Sequence, residues 1–306
     1  MLSSKWEDTF TSWSQPPSQS EADRIENAIT AIRKALDANE ALASTTKVFV
    51  QGSYRNRVNV RQESDVDIGV LYTGNTFYPN YPAGKTKHDF GNVDGDYNYS
   101  DFKNAVAKAL IERFGESSVT RGNKAFHIHA NTYRIDADVV PLFVHRRYSE
   151  NGSYICGVQL NADDGSSIVN WPERLYDQAH WPDQHYENAV AKNTATSRKY
   201  KGVVRILKKL KHLMVDRGIA AAKPVPGFLV ECLAWNVPNS DLGHATWDEN
   251  VQAALLHLWS NTKTIDTCSD WGEVSELKYV FRGSPATKLQ EAHAFIDAAW
   301  SHIGVR

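Results

Sequence analysis

The chain has 306 residues, with 34 Lys and Arg against 36 Asp and Glu, and a formal net charge of −2 at pH 7. Binding to a long nucleic acid depends on many Lys and Arg contacts to phosphate, so this near-neutral balance argues against a polymer-binding protein. Three widely spaced cysteines argue against a disulfide framework and a zinc ribbon. The sequence contains no signal-like N-terminus and no run of about 18 apolar residues, so we expect a soluble cytoplasmic protein without a membrane partner.

The first elements in chain order are a helix, a strand and a tight turn. Ser20 followed by Asp23 indicates a capped helix start. Apolar residues at helical spacing follow, namely Ala22, Ile25, Ala28, Ile29, Ile32, Ala35 and Leu36. The apolar triplet at 48–50 predicts a strand that leads into Gly52 and Ser53. Glycine lets a backbone approach phosphate closely and serine offers a hydroxyl and an N–H, so this turn is a candidate phosphate-binding turn.

The next strand carries two acids. Alternate side chains of a strand share a face, so Asp65 and Asp67 point the same way while Val66, Ile68 and Val70 point into the core. Two neighbouring carboxylates repel each other unless a cation lies between them, and Mg²⁺ supplies that charge. The alternative is a solvated strand face that carries two acids by chance. The Gly-Ser turn upstream favours the metal site.

The middle of the chain predicts a long loop, a helix and a pair of histidines. Residues 73–100 are dense in Gly, Asn, Asp and Tyr and are typical of one long loop. Residues 101–114 predict a helix that buries Phe102, Val106, Leu110 and Phe114. His127 and His129 lie two apart on a short strand. Because no Cys or carboxylate lies near them at ligand spacing, we interpret this pair as structural or supporting rather than metal-binding.

A third acid comes from a strand predicted over residues 133–143. Asp136 and Asp138 share one face of it, and either could reach a metal. We favour Asp138, because Pro141 should end strand pairing close to it. Asp136 would then bind Arg134 or a main-chain donor.

A Gly-Ser turn, an Asp-x-Asp strand and a later strand Asp together form the signature of template-independent nucleotidyl transfer. In two-metal chemistry one ion lowers the pKa of the attacking hydroxyl and the other holds the leaving pyrophosphate, with the ions roughly 3.5–4 Å apart. The sequence therefore predicts Asp65, Asp67 and Asp138 as catalytic residues and as ligands of two Mg²⁺ ions, which Mn²⁺ could replace.

From Trp171 onward the pattern is mainly helical. Lys201, Arg205, Lys208 and His212 recur on one face of the helix that starts near Lys199. A basic stripe of this kind is usually a solvated face.

Several segments resemble the bacterial cGAS/DncV-like nucleotidyltransferases (CD-NTases), most closely clade E of the CBASS antiphage systems. They are QGSYRNRVNVRQESDVDIGV from residue 51, ADVV at 137–140, IVNWP at 168–172, HYENAVAKN at 185–193, YKGVVRILKKLK at 200–211 and FLVECLAWNVP at 228–238. The resemblance implies an α+β fold, with a polymerase-β-like nucleotidyltransferase palm at 1–165, a helical C-terminal lobe at 166–306, and an active site in the cleft between them.

The resemblance also implies a nucleotide pocket. It assigns Gln51, Gly52 and Ser53 to nucleotide binding and Lys208 to the donor triphosphate, with Lys201 as a lesser candidate. Relatives commonly have Ser-Tyr where this chain has Gly227 and Phe228, so the hydroxyl is lost while an aromatic face remains for base stacking. Asn170 aligns with a pocket asparagine that favours uracil, although an Asn before Trp-Pro is otherwise a common turn residue.

These assignments predict a cyclic dinucleotide synthase that uses UTP with ATP, or UTP alone. An acceptor 3′- or 2′-hydroxyl attacks the α-phosphorus, and a second round closes the ring, giving cyclic UMP-AMP or cyclic di-UMP. We expect a monomer whose product is received by a separate CBASS effector. Two alternatives stay open: a template-independent transferase acting on RNA or on a small-molecule hydroxyl, and a non-catalytic nucleotide-binding regulator.

Overall fold

The computed structural model describes residues 6–60, 65–170 and 184–304. Contacts divide the chain into two compact units. The sheet unit comprises Ser18–Arg55 and Ser64–Asp183, and the helical unit comprises Met1–Pro17, Asn56–Glu63 and Gln184–Arg306. Among the described residues no helix is both long and apolar enough to span a membrane.

Ten α-helices occur in the described residues. They are α1 (Glu7–Trp13), α2 (Gln19–Asp37), α3 (Glu40–Ala43), α4 (Gly52–Arg55), α5 (Tyr99–Phe114), α6 (Gln184–Ala195), α7 (Tyr200–Asp216), α8 (Gly227–Trp235), α9 (Trp247–Asn261) and α10 (Ala286–His302). Helices α2 to α5 belong to the sheet unit and the others to the helical unit. The combination of a mixed sheet with a helical C-terminal region confirms the predicted α+β class.

Seven strands of the described residues form one mixed sheet. They are β1 (Thr46–Gln51), β2 (Val66–Asn80), β3 (Val119–Arg121), β4 (Phe126–Ile128), β5 (Ala137–Tyr148), β6 (Tyr154–Asn161) and β7 (Ser167–Asn170). The order is β1-β2-β5-β4-β3, and β6 pairs with both β5 and β7. Strands β2 and β5 are parallel, whereas the other pairs are antiparallel. The central parallel pair positions the acids.

Helix α2 confirms the first predicted helix with a shifted cap. The side chain of Ser18, rather than that of Ser20, accepts the main-chain N–H of Glu21 at 3.3 Å. Ala28, Ile29, Ile32, Ala35 and Leu36 are buried as predicted, but Ala22 is exposed. Glu21 is buried in its place and accepts a hydrogen bond from the Tyr54 hydroxyl at 3.2 Å.

The long loop predicted over residues 73–100 was wrong. Strand β2 runs on to Asn80, a 3-10 helix occupies Lys87–Phe90, and α5 begins at Tyr99. An irregularity between Tyr72 and Phe77 shifts the register of β2 against β5, after which pairing resumes. The strand was missed because its Gly, Asn and Pro residues are typical of loops, while its pairing partner lies more than 60 residues further along the chain.

The strand predicted over residues 133–143 is β5, which starts later and ends later than expected. Pro141 does not end the strand, because it lies opposite Val70 in the continuous β2 ladder. On the other edge, β4 pairs only as far as Val139 and β6 begins at Phe143. A proline has no N–H to donate to a neighbouring strand. Between Val139 and Phe143 neither β4 nor β6 pairs with β5, so neither strand needs an N–H from Pro141.

Helix α7 is the centre of the helical unit. Every residue from Tyr200 to Lys208 is buried. At this position in the core Gly202 touches Trp247: a Cβ added to Gly202 would lie 2.3 Å from the Trp247 ring. The close approach of the indole to the helix backbone therefore depends on the absence of a side chain at residue 202.

Gly202→Ala is expected to destabilise the protein by about 1–2 kcal/mol, since overpacking against Trp247 outweighs the better helix propensity of alanine. Urea unfolding followed by far-UV circular dichroism measures this change. Gly227→Ala is the matched control, because a Cβ there meets only the Lys208 side chain, at 3.9 Å. A Gly202→Ala variant as stable as the wild type would contradict the packing described here.

Candidate active site

The three predicted acids are carried by the two parallel strands of the sheet unit. Asp65 directly precedes β2, Asp67 lies within β2, and Asp138 lies within β5. Asp67 is the register partner of Asp138, so the two side chains leave the same face of the sheet. Val66 and Val139 are fully buried on the opposite face, as the predicted alternation requires.

His127, which the sequence analysis interpreted as structural or supporting, joins these acids. His127 on β4 is the register partner of Asp138, and its Nδ1 lies 3.1 Å from Asp138 Oδ1 and 3.8 Å from Asp65 Oδ2. One ligand atom from each of Asp65, His127 and Asp138 lies within 4.8 Å of the others. The sequence showed no carboxylate near His127 at ligand spacing, but antiparallel pairing supplies Asp138 from 11 residues away.

Burial and neighbouring charges shift the pKa values of Asp65 and His127. Burial raises the pKa of Asp65, and the negative charge of Asp138 raises it further, against the opposing effect of His127. Burial lowers the pKa of His127, but its hydrogen bond to Asp138 and the charges of Asp65 and Asp136 outweigh this and raise it above its usual value. Clustered carboxylate oxygens are a donor set that fits a hard divalent cation.

Gly52 allows the main chain to pass beside Asp67. Its φ is +66°, and a Cβ at this residue would lie 2.0 Å from Asp67 Oδ2. Gln51, the last residue of β1, is the register partner of Asp67. Ser53 is half-buried in α4, and the next residue, Tyr54, is buried where it bonds to Glu21 of α2. The structure therefore brings the predicted Gly-Ser turn to the acids.

Asp136 makes the main-chain contact that was predicted for it. Its Oδ1 accepts the N–H of Ala130 at 2.6 Å and lies 3.4 Å from Nε2 of His127. It groups with His127 and His129 rather than with Asp65 and Asp138. Of the two candidate acids, Asp138 therefore lies with Asp65, whereas Asp136 lies with the two histidines.

The predicted lysine of the helical unit lies in a buried charge cluster. Lys208 Nζ donates to Glu231 Oε2 at 2.9 Å, and the other Glu231 oxygen lies 2.7 Å from His185 Nε2. Lys208 and Glu231 are only 6% and 3% exposed. Burial alone would raise the pKa of Glu231, but Lys208 and His185 together lower it to about 2. Glu231 and His185 were not predicted from the sequence, although a lone carboxylate within the apolar helix Gly227–Trp235 was a signal.

The basic stripe of α7 is not a solvated face. Lys201, Arg205 and Lys208 are all buried. Arg205 donates to the main-chain carbonyl oxygens of Ser14 and Arg57, and burial lowers its pKa to about 10. The Lys201 ammonium lies 5.1 Å from the centroid of the Tyr186 ring. The stripe is therefore part of the helical core.

Phe228 is next to this cluster. Its ring is 49% exposed and lies 6.1 Å from the ring of His185. Its neighbour Gly227 approaches the Lys208 stem. An open aromatic face and a buried ammonium thus occur together at the start of α8.

Asn170 is the last residue of β7, where its backbone is paired with Val158. Its side chain lies outside the described residues, as do Trp171 and Pro172 of the IVNWP segment.

Glu231→Gln is expected to lower the free energy of unfolding by about 3 kcal/mol at pH 7, because the Lys208 ammonium would remain buried without a counter-charge. The depressed pKa of Glu231 contributes stability above pH 4.5 that is lost as the pH falls towards 2. The difference between the variant and the wild type should therefore narrow below about pH 4.5. Urea unfolding across this range measures it, with exposed Glu187→Gln as the control. A pH-independent difference would contradict an ionised Glu231.

Comparison with known proteins finds one family model and several similar chains. The family model for the cGAS/DncV-like nucleotidyltransferase C-terminal helical domain matches residues 187–304. The cyclic dipyrimidine nucleotide synthase CdnE of Cecembia lonarensis is 38% identical over 299 residues, which cover 97% of this chain and 98% of the relative.

Two solved structures are also similar over the whole chain. The Rhodothermus marinus CdnE c-UMP-AMP synthase with Apcpp and Upnpp has a TM-score of 0.78 and 28% identity, and covers 97% of each chain. The Elizabethkingia meningoseptica CdnE cyclic dinucleotide synthase with GTP and Apcpp has a TM-score of 0.76 and 32% identity, and covers 97% of this chain and 98% of the other.

The fold and the acid-bearing strands define a nucleotidyltransferase of the polymerase-β type. The chain belongs to the cGAS/DncV-like nucleotidyltransferases, among the CdnE cyclic dinucleotide synthases. This family functions in CBASS antiviral defence and is generally metal-dependent.

Proposed function

We propose that this enzyme makes a pyrimidine-containing cyclic dinucleotide, cyclic UMP-AMP or cyclic di-UMP, from UTP with ATP or from UTP alone. The observation that carries the proposal is the convergence of Asp65, Asp67 and Asp138 beside the backbone of Gly52 on one sheet. Whole-length similarity to a cyclic dipyrimidine synthase and to a c-UMP-AMP synthase supports the choice of substrates.

Two Mg²⁺ ions, replaceable by Mn²⁺, are the proposed cofactors, with Asp65, Asp67 and Asp138 as their ligands. When bound, such ions lower the pKa of an attacking hydroxyl and neutralise a leaving pyrophosphate. The fit rests on the carboxylate oxygens themselves, because Mg²⁺ prefers oxygen ligands and because burial, followed by the negative charge of Asp138, raises the pKa of Asp65.

The protein residues have separate proposed roles in each round. Asp138 accepts the proton of the acceptor 3′- or 2′-hydroxyl, whose oxygen then bonds to the α-phosphorus as the bond to pyrophosphate breaks. The product of the first round is a linear dinucleotide that keeps one triphosphate. In the second round its free hydroxyl attacks that triphosphate, releasing a second pyrophosphate and closing the ring. Most of the rate arises from alignment and charge stabilisation, so no protein nucleophile takes part.

The proposed nucleotide-binding residues are those that the resemblance to the family indicates. Gln51, Gly52 and Ser53 would present main-chain and hydroxyl groups to phosphate. Lys208, held by Glu231, would bind the donor triphosphate as a compact positive charge, and Lys201 would assist it. The exposed Phe228 ring would stack on a base, with a contribution of about 1–3 kcal/mol.

Base choice is assigned to Asn170. A carboxamide offers a donor and an acceptor to the Watson–Crick edge of uracil, and a site built to pair a polar edge rejects a poorly matched base. The monomeric state, the separate effector that receives the product and the 1–165 and 166–306 domain division remain predictions.

Incubation of the protein with all four nucleoside triphosphates and Mg²⁺ or Mn²⁺, followed by phosphatase treatment and mass spectrometry, tests this proposal. The expected product is a phosphatase-resistant cyclic dinucleotide that contains uridine. A cyclic product made only of purines would contradict the base choice while retaining the enzyme class. Linear products on an added RNA, or no pyrophosphate release, would contradict cyclic dinucleotide synthesis itself.

A further inference from the structure

A second group of possible metal ligands lies beside the three acids. His127, His129 and Asp136 each offer one ligand atom, and these atoms lie within 4.8 Å of one another. The two imidazole rings are 4.8 Å apart between centroids, and Asp136 Oδ1 is 3.4 Å from His127 Nε2. His127 lies on β4 and His129 follows this strand directly, so two positions close together in the chain carry both rings.

The two ring nitrogens of His127 face different carboxylates. Nδ1 lies against Asp138 at 3.1 Å, whereas Nε2 points towards Asp136. A histidine that binds a metal through one nitrogen commonly donates its other N–H to a carboxylate, which fixes the ring and the tautomer. Asp138 is in position to accept that N–H, so Nε2 is left to serve as the metal ligand.

The other two ligands are also held in place. The hydroxyl of Thr120 lies 3.0 Å from His129 Nε2, and Asp136 accepts the Ala130 N–H. The cluster is open to solvent, because His129 is exposed and the side chains of His127 and Asp136 are 31% and 37% exposed. An ion can therefore reach the site without displacing part of the core.

We propose that His127, His129 and Asp136 bind one borderline-soft divalent ion of the Zn²⁺ or Co²⁺ type, with water completing its coordination. Two imidazoles and one carboxylate form a set that Zn²⁺ uses with an open fourth position, whereas Mg²⁺ prefers oxygen ligands alone. This site is separate from the carboxylate site assigned to Mg²⁺. His127 lies between the two sites, with Nε2 towards Asp136 and Nδ1 towards Asp138.

The site has a consequence that rests on the proposed function. An ion on Nε2 fixes the Nδ1 proton towards Asp138 and adds positive charge next to a ligand assigned to Mg²⁺. Like charges repel, so occupation of the histidine site should weaken Mg²⁺ binding and inhibit synthesis. Zn²⁺ would then act as an inhibitor that operates from outside the catalytic ligands.

Isothermal titration with Zn²⁺ alone, in buffer that contains millimolar Mg²⁺ and no nucleotide, tests the site directly. We expect one Zn²⁺ per chain for the wild type and at least tenfold weaker binding for His129→Ala and for Asp136→Asn. The Asn variant keeps an oxygen that can accept the Ala130 N–H, which limits disturbance of the fold. His88→Ala removes an exposed histidine elsewhere on the sheet unit and should bind Zn²⁺ like the wild type.

An Asp65→Asn variant separates this site from the neighbouring one. We expect it to retain Zn²⁺ binding, because Asp65 faces only the Nδ1 side of His127. Loss of binding in Asp65→Asn with retention in His129→Ala would overturn the proposal and place the ion among the acids. Absence of Zn²⁺ binding to the wild type would overturn it as well.

The inhibitory consequence has its own readout. Inhibition by Zn²⁺ is compared with the Zn²⁺-free rate of the same variant, and we expect His129→Ala to need at least tenfold more Zn²⁺ for half-inhibition than the wild type. Equal sensitivity would contradict the coupling to Asp138 even if titration establishes the site. Because titration needs no nucleotide, failure of the proposed synthase activity would leave the metal-binding result intact and distinguishable.

Discussion

Asp138→Asn is expected to lower the rate of cyclic product formation by about three orders of magnitude, which corresponds to roughly 4 kcal/mol of transition-state stabilisation. The proposed role of Asp138 combines metal ligation with acceptance of the hydroxyl proton. Asparagine keeps the shape of the side chain but provides neither a full negative charge nor a base. Asp65→Asn and Asp67→Asn should cause losses of similar size, because each removes a proposed ligand of the same ions.

Mass spectrometry of the reaction products measures the rate, and Mn²⁺ binding provides a second readout that needs no turnover. Asp94→Asn is the matched control, since it removes one negative charge from an 81% exposed side chain of the same unit. We expect the control to keep both activity and Mn²⁺ affinity. An Asp138→Asn enzyme within threefold of the wild-type rate, with unchanged circular dichroism, would refute the catalytic assignment.

The second large effect is expected at Gly52. In Gly52→Ala the new Cβ would lie 2.0 Å from Asp67 Oδ2, so either the carboxylate or the turn must move. A displacement of about 1 Å at a catalytic group can reduce the rate by about 100-fold. We therefore expect the rate of product formation by Gly52→Ala to fall by at least about 100-fold. The effect on the free energy of unfolding should be smaller.

Gly84→Ala separates the contact from the backbone strain. Gly84 also has a positive φ, +77°, but a Cβ there meets nothing within 4 Å. Both alanines bear a left-handed backbone cost of about 1–2 kcal/mol, and only the one at position 52 strikes Asp67. Similar product formation by the two variants would show that the loss at Gly52 does not arise from the contact with Asp67.

The local parts of the carboxylate site were predictable from sequence because they follow the two-residue period of a strand. Val66, Ile68 and Val70 alternate with the acids and are fully buried, as expected. The role of His127 was not predictable in this way. Its contact with Asp138 depends on antiparallel pairing between β4 and β5, and a single sequence does not specify that register.

The helical unit shows a second limit of prediction from the sequence. A helical period predicted that Lys201 and Lys208 share a face, but such a basic stripe is usually solvated, whereas these two side chains are buried. The reason is tertiary packing, since Glu231 from α8 accepts a hydrogen bond from Lys208 and both side chains are buried. Burial of a charge requires a partner from elsewhere in the chain, and periodicity within one helix cannot supply that information.

Gly227, where the resemblance implies a serine in relatives, lies at the start of α8 beside the exposed Phe228 ring and the buried Lys208. A side chain at this position would meet only the Lys208 stem. A serine could therefore be accommodated without displacing main chain. The glycine at residue 227 is therefore not required by a steric contact of a Cβ.

The most direct test of the central claim is a crystal structure of the protein soaked with Mn²⁺ and a nonhydrolysable UTP analogue, with the metal located by anomalous scattering. Two Mn²⁺ peaks are predicted, with carboxylate oxygens of Asp65, Asp67 and Asp138 within about 2.5 Å of them and the triphosphate as a shared ligand. Metal or nucleotide bound elsewhere on the chain, with these three carboxylates uncoordinated, would contradict the account.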